Sequence, residues 1–186
     1  MDAAMYGRAL ERTREVVAGT RADQLEDPTP CSDWNVHELL NHLIGGCLSV
    51  AAGAKGDTEQ MSEDIDRVQG DHLASYDRAS QAALEAFKEE GALEKRFAMP
   101  WGETPGAAAL SLSIADATVH GWDLAQATGQ QMDIDEDIAE AIYGSTSSMM
   151  QPKRDYPRGD SFAEPVEVSE DAPAAERMLG YLGRKA

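Results

Sequence analysis

The sequence is poor in positive charge: 16 lysines and arginines stand against 34 aspartates and glutamates in 186 residues, a formal charge of −18 with the histidines neutral. No basic cluster interrupts that excess, so phosphate backbones and anionic bilayers would repel the chain. Nucleic acid and membrane are therefore excluded as expected partners. No apolar run approaches the roughly 20 residues of a membrane-spanning helix, and residues 1–10 lack the basic start and apolar middle of a secretory signal. The expected location is cytoplasmic. Cysteine is scarce too: Cys31 and Cys47 are the two in the chain, expected as free thiols in a reducing compartment. A glycine-rich phosphate loop, a G-x-S-x-G elbow and a CxxC pair are all missing, which removes the commonest signatures of nucleotide, serine-hydrolase and dithiol chemistry.

What is present suits a folded helical chain. The hydrophobic content of 42% supplies a core for one compact domain over residues 1–186 without disulfide staples. Met5, Tyr6, Ala9, Leu10, Thr13, Val16 and Val17 share a stripe at helical spacing, predicting a first helix over about residues 2–20. After a loop with two prolines, Asn35 fits an N-cap, Glu38 its reciprocal partner and Trp34 a staple against Leu39, opening a second helix that runs to about Ala54. An acidic loop over 55–70 precedes a third helix from Asp71 to about Glu90, stopped by Gly91. Phe97, Met99 and Trp101 alternate as a short extended piece before a turn at Gly102-Glu103. Thr104 then reads as an N-cap and Pro105 as the first residue of a fourth helix ending at Gly129. A fifth helix over about 133–150 groups Ile138, Ile142 and Met149, residues 151–172 read as a proline-rich surface loop, and Met178, Leu179 and Leu182 mark a short docking helix before Gly183. Four long helices plus short extras predict an all-α bundle.

The chemistry concentrates in residues 106–127. At about 100° per residue, the only ionisable side chains there, Asp116, His120 and Asp123, fall within an arc of roughly 60°, while small and apolar residues cover the rest of the cylinder. A carboxylate and an imidazole on a buried helix require partners or a metal. In a purely structural reading Asp116 and His120, at i and i+4, bond each other or an arginine of the first helix. In a metal reading they give one oxygen and one nitrogen to a divalent ion, with a third ligand from another helix. His42 is a candidate third ligand, although the helical wheel puts it at the edge of its apolar stripe, where a surface histidine is equally expected. His37 and His72 sit at helix starts and are expected to be solvated, and Cys47 reads as a small hydrophobe. Cys31 lies in a loop with no base assigned to it. Asp133, Asp135 and Asp137 begin like a calcium loop, but Ile138 and Gly144 occupy the positions of its glycine and glutamate, so an acidic helix start explains them better.

Four blocks, PTPCSDWNVHELLNHLIGG, PWGETPG, DATVHGWDLAQATG and APAAERMLGYLGR, taken in this order over about residues 28–184, resemble the DinB-like superfamily. The resemblance is to the branch built on the metal-binding domain of mycothiol-dependent maleylpyruvate isomerase. It implies a DinB-like four-helix bundle with up-down-down-up connection, here with additional short C-terminal helices and a wrapping loop. It also implies a divalent metal held by His42, Asp116 and His120, with zinc first and nickel, iron or manganese as alternatives. Mycothiol is the implied co-substrate and an electrophilic small molecule the implied acceptor, in S-transfer or isomerisation; a homodimer is compatible with related bundles. Asp123 then falls behind the metal ligands or in a helix-anchoring salt bridge, and Trp122 in packing. The isomerase itself resembles this chain with glutamate at the Asp116 position and carries a further C-terminal domain, so maleylpyruvate is not the expected substrate. The alternatives are a non-catalytic metal-binding bundle that binds a small ligand or partner, and hydrolysis by metal-activated water.

Overall fold

The computed structural model describes residues 1–32, 34–57, 65–68, 70–150 and 163–185, apart from the side chains of 148–150. These residues group into two compact units, Met1–Met132 and Asp133–Ala186. The first contains α1 (Ala3–Gly19), a 3-10 turn (Ala22–Gln24), α2 (Val36–Gly53), α3 (His72–Lys88), a hairpin of β1 (Arg96–Met99) and β2 (Gly102–Pro105), and α4 (Gly106–Thr128). The second contains α5 (Glu136–Met150) and α6 (Ala174–Tyr181).

Local chemistry sets the starts of the first three helices. Asp2 and Asp71 each accept a hydrogen bond from the backbone three residues on, at Met5 and Ala74. Asn35 and Glu38 form both halves of a capping box, with each backbone N–H 2.9 Å from the other's side chain. The fourth helix starts one residue later than its sequence predicts. Arg96 pairs with Pro105 and Phe97 with Thr104, so these two residues end a strand, and Pro105 becomes the cap of a helix that begins at Gly106. A Cβ at Gly106 would collide with the Ala92 carbonyl oxygen, so the chain enters α4 through a contact only glycine allows. The hairpin turn also differs from expectation. It falls at Pro100 and Trp101 rather than at Gly102-Glu103, because proline at the first central position and glycine two residues later suit a tight turn. Gly102 there adopts φ +116, and Trp101, at the tip, is 65% exposed instead of continuing the inward alternation.

Side-chain register gives the helix directions. Val17 meets His72, Arg14 meets Asp77, and Gly7 lies against Leu84, so α1 and α3 run antiparallel. Thr13 bonds the Ala117 carbonyl and Val16 accepts from Gln130, so α1 and α4 run in the same direction. His42 faces both Asp116 and His120 while Gly46 lies against Asp116, which sets α2 antiparallel to α4. The connection is therefore up-down-down-up, as the resemblance implies, and the fold is all-α and DinB-like with one small hairpin. The core at one end includes Tyr6 edge-on to Phe87 and Phe87 stacked on Phe97; the histidine-bearing faces of α2 and α4 oppose each other.

In the second unit, α5 begins three residues after its predicted start, since Asp133–Asp135 precede the helix and the Asp135 carbonyl accepts from Ala139. Tyr143 packs edge-on against Tyr181, with Arg177 over its ring. Val166 donates to the Gly180 carbonyl, which holds the segment before α6 along that helix. Met178, Leu179 and Leu182 are buried as expected, and Gly183 follows with φ +84. The expectations for 58–64 and 69 within the acidic loop, for 151–162 within the proline-rich loop, and for the Met149 side chain lie outside the described residues.

Candidate metal centre

Helix α4 is buried from Ala117 to Ala125 on every side except at His120, whereas its first turns expose Ala107, Ala108 and Leu112. The i, i+4 spacing places Asp116 and His120 on the same face, and α2 presents His42 to them. His42 Nε2 lies 2.9 Å from Asp116 Oδ1, and His120 Nε2 lies 3.7 Å from the same oxygen. The two imidazoles meet edge to face with centroids 4.9 Å apart. Gly46 lies beside this pair, where a Cβ would sit 3.4 Å from Asp116 Oδ2, in ordinary contact. Nε2 or Nδ1 of each histidine and a carboxylate oxygen of Asp116 can all be chosen within 4.8 Å of one another.

Desolvation pushes the Asp116 carboxyl up, but the His42 imidazole, through its charge and hydrogen bond, together with that of His120, outweighs it and holds the group below its usual range. Of the α1 arginines, Arg14 makes a two-pronged pair with Asp77 instead.

The other nitrogen of His120 is held from behind. Nδ1 lies 3.1 Å from Asp123 Oδ2, and Asp123 is 0% exposed. A fully buried carboxylate without donors would cost several kcal/mol; here it also accepts from the Cys31 thiol at 3.1 Å. A neutral His120 with its proton on Nδ1, bonded to this carboxylate, turns its Nε2 lone pair toward Asp116 and His42, the arrangement by which a carboxylate orients a ligating histidine.

Cys31 and Trp34 are the site residues that sequence reasoning passed over. The loop before α2 is tied by an isolated bridge between Pro28 and Asn35, by Val36 N–H to the Asp27 carbonyl, and by Thr29 Oγ1 to the Trp34 carbonyl at 2.7 Å. This knot turns Trp34 onto the histidines, with ring centroids 4.4 Å from His42 and 5.5 Å from His120. It also brings the Cys31 sulfur to 3.6 Å from His120 Nδ1. The only signal in the sequence was proximity to the Asn35 cap, which places these residues beside the start of α2 but not over its seventh residue. The remaining histidines lie elsewhere: His37 faces Asp66 at 3.3 Å, and His72 faces the Val17 carbonyl. Cys47 is buried against the Tyr6 hydroxyl, as a small core residue is expected to be.

The donor set of two imidazole nitrogens and one carboxylate oxygen suits a borderline transition ion such as zinc, and three protein ligands leave a coordination position for another molecule. Among the described residues, no helix is long and apolar enough to cross a membrane.

No solved structure matches the chain. Two uncharacterized proteins of Mycobacterium tuberculosis, from strains CDC 1551 / Oshkosh and ATCC 25618 / H37Rv, are each 33% identical over 179 residues, covering 96% of this chain and 95% of theirs. The family model for the mycothiol maleylpyruvate isomerase N-terminal domain matches residues 6–125, the stretch that holds Cys31, Trp34, His42, Asp116, His120 and Asp123. The chain belongs to the mycothiol maleylpyruvate isomerase N-terminal domain family.

Proposed function

We propose that this chain is a divalent-metal enzyme that activates a low-molecular-weight thiol of the mycothiol type for transfer to, or addition and elimination at, an electrophilic carbon. The observation that carries this reading is the convergence of His42, Asp116 and His120 from two antiparallel helices, in a chain of this family. These three side chains would hold the ion, zinc before nickel, iron or manganese. When bound, the ion supplies Lewis acidity that brings the pKa of a coordinated thiol toward neutrality.

The remaining tasks fall to the chain's own residues. Asp123 holds the Nδ1 proton of His120 and so fixes which nitrogen faces the site. The Trp34 ring covers both imidazoles and shields that side from water. Asp116 contributes one negative charge toward offsetting a dication. In this scheme the incoming thiol is the nucleophile. Cys31, its thiol committed to a buried carboxylate, is not.

The test is to incubate the zinc-loaded protein with mycothiol and a chlorodinitroarene and to follow thioether formation. Wild type is expected to accelerate the reaction, and His42→Ala and His120→Ala are expected to lose that acceleration. A rate equal to buffer with metal fully bound would instead favour the non-catalytic bundle, and turnover without added thiol would favour hydrolysis.

A further inference from the structure

His120 stands at the junction of two ligand triangles. Its Nε2 faces Asp116 and His42, while its Nδ1 faces Asp123 and Cys31. We propose that Cys31 Sγ, His120 Nδ1 and Asp123 Oδ2 form a second, thiophilic cation site, one that takes zinc or its softer congener cadmium.

The geometry is the first support. The three donor atoms are separated by 3.6 Å (sulfur to nitrogen), 3.1 Å (sulfur to oxygen) and 3.1 Å (nitrogen to oxygen). Bonds of about 2.3 Å to thiolate and 2.0–2.2 Å to imidazole and carboxylate, set at tetrahedral angles, require edges of about 3.4–3.6 Å. The triangle is thus within half an ångström of one face of a zinc tetrahedron. Burial is the second support. Asp123 is fully enclosed while Cys31 and His120 keep partial exposure, so the set joins a buried carboxylate to two donors on residues that reach solvent. Chemistry is the third: one thiolate, one imidazole and one carboxylate favour a borderline or soft ion over magnesium or calcium.

Binding balances simply. The thiol proton leaves to solvent, the imidazole stays neutral by carrying its proton on Nε2 instead of Nδ1, and the ion takes the vacated lone pairs. A neutral imidazole has one such pair, so His120 serves one triangle at a time. Occupation of the cysteine site therefore withdraws His120 from the His42–Asp116 pair and antagonises the centre proposed above. The inference shares His120 with that centre but does not depend on its activity.

The test is a titration of the metal-free full chain with cadmium chloride, read by the ultraviolet thiolate-to-cadmium charge-transfer band. One equivalent is expected to saturate the band in wild type, in His42→Ala and in Cys47→Ala. Cys31→Ser, whose hydroxyl still donates to Asp123, is expected to lose the band with unchanged far-ultraviolet circular dichroism, and Asp123→Asn is expected to weaken binding about tenfold or more. A wild-type protein without the band overturns the assignment, as does a band that persists in Cys31→Ser or vanishes in Cys47→Ala. Loss of the band in a folded His42→Ala variant also overturns it, by making the two triangles one site. Failure of thiol transfer would leave this readout unmoved, which keeps the two proposals separable.

Discussion

His120 Nδ1 lies 3.1 Å from Asp123 Oδ2, three residues further along the same helix. Both groups are positioned by α4 itself, so the helix that supplies the imidazole also fixes its tautomer.

Replacing Asp123 with asparagine keeps the shape but removes the charge that holds Nδ1–H. Affinity for zinc is expected to fall about 10–100-fold, the usual effect of losing a carboxylate behind a ligating histidine. Competition with a chromophoric chelator measures it. Asp123→Ala goes further, taking from the Cys31 thiol and His120 Nδ1–H the buried acceptor they share, and is expected to cost about 1–3 kcal/mol in urea denaturation.

A second prediction concerns the frame rather than the site. Gly53 ends α2 against β1, where a Cβ would run into the Ala98 carbonyl oxygen. Backbone cannot swing aside as a flexible side chain can. Gly53→Ala is therefore expected to destabilise by about 1–3 kcal/mol in spite of alanine's better helix propensity. A midpoint in urea at or above wild type would show that the α2–β1 contact yields at no cost.

The parts of this molecule that were legible in its sequence are those set by near neighbours. The Asn35–Glu38 box and the shared face of Asp116 and His120 are each written within four residues: the box forms as read, and the two side chains come within 3.7 Å of each other. Thr104-Pro105 misled because that dipeptide is equally good chemistry for a helix start; pairing with Arg96 and Phe97, a tertiary matter, decided for strand. Cys31 lies 89 residues from His120 in sequence, and its approach depends on the Thr29 and Pro28 bonds that fold the loop, which no periodicity encodes. His42 was ambiguous for a similar reason. A helical wheel places it at the edge of a stripe, and only the neighbouring helix determines that the edge is a site.

Asp116 supplies a pH dependence. In the metal-free protein its folded pKa is lowered relative to the unfolded chain, where it is about 3.9. A depressed carboxyl contributes stability that is complete above the unfolded pKa and is lost as pH falls through the folded one. The melting-temperature gap between wild type and Asp116→Asn is therefore expected to be steady at mildly acidic pH and to shrink below about pH 4. A gap that widens on acidification would reverse the sign of the proposed pairing with His42 and His120.

Cys47 tests the interior behind the site. Burial raises its thiol to about 12, with the negative charge of Asp116 adding to that rise, while the Tyr6 hydroxyl, 3.8 Å away, works against it. The reactive species is the thiolate, so at mildly alkaline pH Cys47 is both enclosed and protonated. Iodoacetamide is expected to leave it unmodified in the native protein and to alkylate it only as denaturant opens the bundle, with a labelling midpoint matching the loss of helical circular dichroism. Peptide mass spectrometry separates this thiol from Cys31. Labelling of Cys47 well before the helices melt would mean that α2 parts from α1 locally, and the same opening would draw His42 away from Asp116.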